Sequence, residues 1–258
     1  MTQSEGEVQQ PPASQWLAET LRVTAFPTPD AEANPSDWWK RVIGQDPETQ
    51  IQRQRLGELV QEGIVGGAKL TLRVRPERID WVMAPVEPAE APETFLSIGP
   101  FDDSCKQFRA LINSWIPFSP PLSRIAFGAV AFSPVPDHVS GYNTLAAYLP
   151  SVQVDPGSRD FIYQINRPRE SSAGVEGLSI NRLSKWSVVQ MHLQAFSMGA
   201  QEGVRIVRAP ISAFACRVEI DVNTSPMHKG HFTPEQSLMV LDEMERLAEE
   251  IIREGDRP

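Results

Sequence analysis

The chain has 258 residues, 41% of them hydrophobic and 22% charged, with a formal net charge of −9. That balance suits a globular protein with length for one large core or two small ones. No apolar run reaches the roughly 18–20 residues of a membrane-spanning helix, the start MTQSEGEVQQPPASQ does not have the pattern of a secretory signal, and the negative total argues against a general nucleic-acid coat.

Residues 1–15 are polar, Gln- and Pro-rich, and read as a disordered tail. ETLRVTAFP (19–27) alternates Leu21, Val23 and Ala25 with polar neighbours and ends at Pro27, the pattern of a strand. Ser36 is placed to cap a short helix carrying Trp38, Trp39, Val42 and Ile43 and stopped by Gly44. Residues 50–65 fit a helix or a strand bent at Gly57; the following Gly66-Gly67 turn and the strand AKLTLRVRP (68–76) favour the bent strand. ERIDWVMAP (77–85) alternates again. APVEPAEAPE (84–93) has the composition of a linker.

TFLSIGP (94–100) reads as a strand. Asp102 and Asp103 open a helix whose buried stripe is Cys105, Phe108, Ile112, Trp115 and Ile116. SRIAFGAVAFSPV (123–135) is apolar almost throughout and reads as a central strand. Ser140 is expected to cap the short helix GYNTLAAYL. Three strand-like segments follow, at 160–168, 178–197 and 211–224. Thr233-Pro234-Glu235-Gln236 is a capping box with proline at the first helical position. It begins a helix presenting Val240, Leu241, Met244, Leu247, Ala248 and Ile251 on one side. From Thr233 onward eight carboxylates stand against three arginines, so the final helix is acidic and the body less so.

These elements predict an α+β protein: antiparallel sheets with helices packed on one side. A strand, break and aromatic-anchored helix occur twice, from Glu19-Thr20 and again from Glu93-Thr94. That suggests two similar β-α-β-rich halves, at 16–85 and 94–258.

Few motifs carry chemistry. GIVGGAKLT lacks the spacing of a phosphate loop and lies between strands. His228 and His231 in MHKGH are three apart, a weak metal pair next to Asp221 or Glu219. Glu219 and Asp221 share one face of a strand, and His192 could join them from a neighbouring strand as catalytic residues. Cys105 and Cys216 sit at apolar positions and read as buried thiols of a reducing, cytoplasmic compartment.

The most distinctive stretch is FIYQINRPRESSAGVEGLSINRLSKWSV (161–188). Ile-Asn-Arg occurs at 165–167 and again at 180–182, on either side of a Gly/Ser-rich turn. Arg169 and Lys185 add cations. Successive strand residues point to opposite faces, so Asn166 and Asn181 can line one side and Arg167 and Arg182 the other. Guanidinium forks favour phosphate or carboxylate. Asn166, Arg167, Arg169, Asn181, Arg182 and Lys185 are therefore the candidate ligand- or partner-binding residues. The structural alternative is that the arginines pair with Glu58, Glu219 or Asp221 within the protein.

Val218-Glu219-Ile220-Asp221-Val222, followed by the amphipathic helix LMVLDEMERLAEEI, resembles a sporadically distributed, uncharacterised family of bacterial proteins of about this length. The resemblance covers the last part of the chain and implies an accessory or defence-type role with protein partners; it supplies no catalytic residues. The functional expectation is a cytoplasmic, non-enzymatic accessory subunit that binds a protein partner or a second copy, without cofactor or membrane. The alternatives are a metal-dependent phosphoesterase or nuclease, and a nucleotide-sensing anion-binding protein.

Overall fold

The computed structural model describes residues 15–31, 34–193, 196–199, 203–206 and 211–257. The expected tail falls almost wholly outside them. Strand β1 (Leu17–Pro27) is followed by a 3-10 turn and helix α1 (Trp38–Ile43), then β2 (Thr49–Arg53), β3 (Glu58–Val65), β4 (Ala68–Arg75) and β5 (Arg78–Pro85). A long connection leads to β6 (Gly99–Pro100), α2 (Phe101–Trp115), β7 (Leu122–Val135) and α3 (His138–Tyr148). Next come β8 (Ile162–Asn166), β9 (Arg169–Glu170), β10 (Ser179–Leu193), β11 (Phe196–Gly199), β12 (Gly203–Ile206) and β13 (Ile211–Thr224). Helix α4 (Pro234–Glu254) follows.

The strands form one antiparallel sheet in the order β2-β3-β4-β5-β1-β7-β13-β10-β8, with β6 beside β1 and β9 beside β10; β11 and β12 pair separately. β1 lies between β5 and β7. The strands of both expected halves therefore belong to a single sheet, and the linker-like segment 86–98 connects two parts of it.

Alternation decides which face is covered. Leu21, Val23 and Ala25 on β1, Ile79, Trp81 and Met83 on β5, and Val218, Ile220 and Val222 on β13 are all buried. The helices pack over this face. Trp39 of α1 stacks on Trp81, whose ring also meets Trp115 of α2. The Cys216 Sγ of β13 donates to the Gly141 carbonyl of α3. Helix α4 lies over β7, β13 and β10. Each large buried side chain contributes about 1.5–3 kcal/mol on burial. The opposite face carries no described helix.

Local chemistry sets the ends. Thr233 accepts from the Gln236 amide and Gln236 reaches back to the Thr233 amide, the expected capping box. Gly66 and Gly67 turn β3 into β4 with φ of 59° and 83°, a conformation that suits the right-handed twist of a two-residue hairpin and that side chains rarely adopt.

Four local expectations are corrected. Residues 50–65 form two antiparallel strands rather than one bent strand, because a 3-10 turn and Gly57 at φ 59° reverse the chain between them. Residues 94–98 are not a strand: β1 already has β5 and β7 as neighbours, and only the short β6 fits beside its start. Asn34, not Ser36, caps the turn before α1, accepting from the Ser36 amide. Asp137, not Ser140, caps α3, accepting from the Ser140 amide at 2.7 Å.

Candidate functional site

The repeated Ile-Asn-Arg segments lie on adjacent antiparallel strands, with Asn166 opposite Leu183 and the Arg167 amide bonded to the Arg182 carbonyl. Their arginines point to the helix-covered face and meet the acidic end of α4. Arg167 forms a fork with Asp256, Nε at 2.5 Å and Nη2 at 2.8 Å. Arg169 grips Glu250 with both terminal nitrogens at 3.0 and 3.3 Å. Arg182, 2% exposed, donates to Glu250 at 3.2 Å and to the Arg257 carbonyl at 3.0 Å. The anion held by this cationic hairpin is the protein's own C-terminal segment. Glu58, Glu219 and Asp221 are not the partners of these three arginines.

Gly255 makes that closure possible. It turns the chain at φ 78°, and a Cβ there would lie 2.1 Å from the Tyr148 carbonyl oxygen. The Asp256 amide then bonds to that carbonyl, and its carboxylate accepts from Tyr163 Oη and Arg167. Burial works to raise the Asp256 pKa, but the hydrogen bonds from Arg167 and Tyr163 prevail and hold it below the usual carboxylate range. Glu243 is held similarly: burial opposes ionisation, yet bonds from Ser171 and Ser172 lower its pKa. The Gly/Ser-rich turn thus also docks onto α4.

The asparagines point the other way, onto the open face. Asn166 Nδ2 donates to Asn181 Oδ1, Asn181 Nδ2 to Asn223 Oδ1, and Asn223 Nδ2 to Asp221 Oδ1, each at 3.0 Å. This amide chain crosses β8, β10 and β13 and ends on one oxygen of Asp221. Lys185 is also on this face, 3.2 Å from Glu219, which Arg217 contacts as well. Burial tends to raise the Glu219 pKa; the bonds from Lys185 and Arg217 outweigh it and lower the value.

Between these groups lies a depression of about 340 Å³, lined by residues including Thr20, Arg22, Gly128, Val130, Gln164, Lys185, Glu219 and Asp221. Register explains its shape. Arg22 is opposite Gly128 on β7, and Gly128 is opposite Asp221 on β13. Ala126, Gly128 and Val130 place small side chains, or none, along the middle strand, so the longer residues of β1 and β13 become walls. The Arg22 guanidinium leans over Gly128, where an added Cβ would meet Nη2 at 3.3 Å. Among the described residues Arg22 has no hydrogen-bond or ion-pair partner. Sequence reasoning did not select Arg22 or Gly128. The available signal was a glycine interrupting an apolar strand, which marks a close approach.

The proposed catalytic trio is not assembled. His192 pairs across from Ser212, its Nδ1 3.1 Å from the Ser212 hydroxyl, and is seven positions along the sheet from the Lys185–Glu219 pair. Seven residues of strand span roughly 23 Å, and strand alternation puts His192 on the face opposite Glu219. His228 stacks on Phe232 with ring centroids 5.2 Å apart. Among the described residues no group of three or more His, Cys, Asp and Glu, including His228 and His231, is arranged to hold a metal. Both cysteines are buried and free. Burial raises their pKa values, Cys216 to about 12 and Cys105 further, which keeps them as thiols.

No helix of the described residues is long and apolar enough to cross a membrane. No protein-family model matches the sequence, and no curated protein matches it.

Proposed function

We propose that this is a non-enzymatic binding protein, an accessory subunit that docks an acidic protein partner on the open face of its sheet. One observation carries the reading: that face is rich in cations although the whole chain is strongly negative. Arg53, Lys69, Arg73, Arg75 and Arg78 reach it from β2 to β5, and Arg22 adds to them from β1. Three carboxylates lie among these six cations, Glu58, Glu62 and Asp80, and pairing with them leaves the cluster net positive. Glu58 alone meets Arg53, Arg73 and Arg75. A surface of this sign steers acidic partners and speeds their encounter.

The alternatives gain less from the geometry. A nucleotide sensor would need the hairpin arginines, which are occupied by Glu250 and Asp256. A metal phosphoesterase would need Glu219 and Asp221 close to His192. Two buried free thiols suit the cytoplasm, where this reading puts the protein.

The test is co-purification of the tagged chain from its native host at low and moderate salt. A stoichiometric acidic partner, weakened by salt and lost in Lys69→Glu/Arg73→Glu, supports the reading. A partner retained by that double variant, or none at all, overturns it.

A further inference from the structure

The depression at the centre of the open face is more specific than the basic surface around it. We infer that it is a binding site for a small zwitterion, a free amino acid or short peptide. Arg22 would hold the ligand's carboxylate, and Asp221 its ammonium group.

Three features lead there. Arg22 is a half-buried guanidinium with no described partner, leaning over Gly128 in the depression. An unpaired fork of this kind binds a carboxylate by donating two parallel hydrogen bonds to it. Among the described residues Asp221 has one oxygen bonded to the Asn223 amide and no ion pair, so its second oxygen remains an acceptor. The amide chain from Asn166 through Asn181 and Asn223 fixes its orientation.

The spacing fits as well. Arg22 and Asp221 are on strands two apart, with Gly128 between them. Their Cα atoms are therefore roughly 10 Å apart. Among the described residues the two side chains form no ion pair, and the missing side chain at Gly128 gives the Arg22 guanidinium room to lean over the middle strand. A ligand with both charges can bridge the two groups, its carboxylate on the Arg22 fork and its ammonium on Asp221.

Lining charge selects the class. Arg22 and Lys185 are balanced by Glu219 and Asp221. A nucleoside phosphate would face two carboxylates, and a metal ion would face two cations. A zwitterion presents each sign where the opposite one waits. Gln164, beside Lys185, can donate to or accept from the remainder of the molecule.

This inference does not depend on the acidic-partner reading, since Lys69 and Arg73 lie outside the depression. The probes are the twenty L-amino acids and glycylglycine, each titrated calorimetrically into the full chain up to about 10 mM, the weak limit for a site this open. At least one is expected to bind. Its affinity should fall at least about tenfold in Arg22→Ala, the loss of a charged hydrogen-bonded anchor. The carboxylic acid lacking the amino group should bind the wild type more weakly than its amino acid, and Asp221→Asn should erase that preference. Arg22→Ala removes no described hydrogen bond or ion pair, and Asp221→Asn keeps the acceptor for Asn223, so both variants should fold as judged by circular dichroism. The inference is overturned if no probe binds, if binding survives Arg22→Ala, if the des-amino acid binds as well as the amino acid, or if a nucleoside phosphate binds more tightly than every zwitterion.

Discussion

Glu245 should make the protein less stable as pH rises from acid to neutral, and Glu245→Gln should remove that loss. The residue is on α4, 6% exposed, facing α2 across a crevice lined by Phe108, Ile112, Phe127 and Leu241. Burial, with a further contribution from Glu249, pushes its pKa from 4.5 up to about 7, against the opposing pull of Arg109. The Arg109 Nε is 3.3 Å away, but that guanidinium is shared with Asp242 and partly exposed. Cys105, on the α2 side, is a neutral thiol. Below pH 4.5 both folded and unfolded states carry the proton, and the residue costs nothing. Between 4.5 and 7 the unfolded chain releases it while the folded protein keeps it, so stability falls with pH. Above 7 the loss levels off at about 3 kcal/mol, from a shift of about 2.5 pH units at 1.36 kcal/mol each. Glutamine does not titrate. The stability difference between Glu245→Gln and wild type should therefore change in the variant's favour by about 3 kcal/mol between pH 4 and pH 8. Urea melts at several pH values measure it directly, and near neutrality the melting temperature should differ by roughly 8 °C for a chain of this length. Losing the Arg109 contact adds a constant offset, so the slope is the diagnostic quantity. A difference that stays flat with pH would refute the reasoning.

Arg182→Ala should destabilise by about 3–5 kcal/mol in urea melts, because a buried cation is removed from Glu250 and the Arg257 carbonyl; Arg169→Ala, more exposed and sharing Glu250, should cost clearly less. If the two cost the same, Arg182 is not the central clamp. Asp256→Asn should loosen the β8 edge, read as faster amide exchange at Tyr163 and Ile165 with β1 unchanged. The wild type should show the same loosening only in acid: the lowered pKa of Asp256 gives stability that is present above about 3.8, the ordinary aspartate value, and disappears as pH falls through the folded value. Thr233→Ala should cost about 1 kcal/mol through the lost cap of α4, and an unchanged melt would mean that packing alone holds that helix end.

What could be read from the sequence was local. Period-two alternation in 19–27, 68–75, 78–85 and 211–224 marks the residues that face the core, because a strand offers its side chains only two sides. The stripe in 101–115 and the capping box at Thr233 mark two helices, because hydrogen bonds and neighbours there lie within four residues. The same alternation separates Asn166 and Asn181 from Arg167 and Arg182. What those arginines hold was decided by the tertiary structure. Glu250 and Asp256 lie some 70 to 90 residues further along the chain, and only the β13-β10-β8 order, with α4 laid across it, brings them within 3.2 Å. The depression has the same origin. Arg22, Gly128 and Asp221 come from three distant segments and become neighbours only through the register of β1, β7 and β13. Local propensity selects elements and faces, but a site made across strands depends on strand order, which long-range packing alone sets.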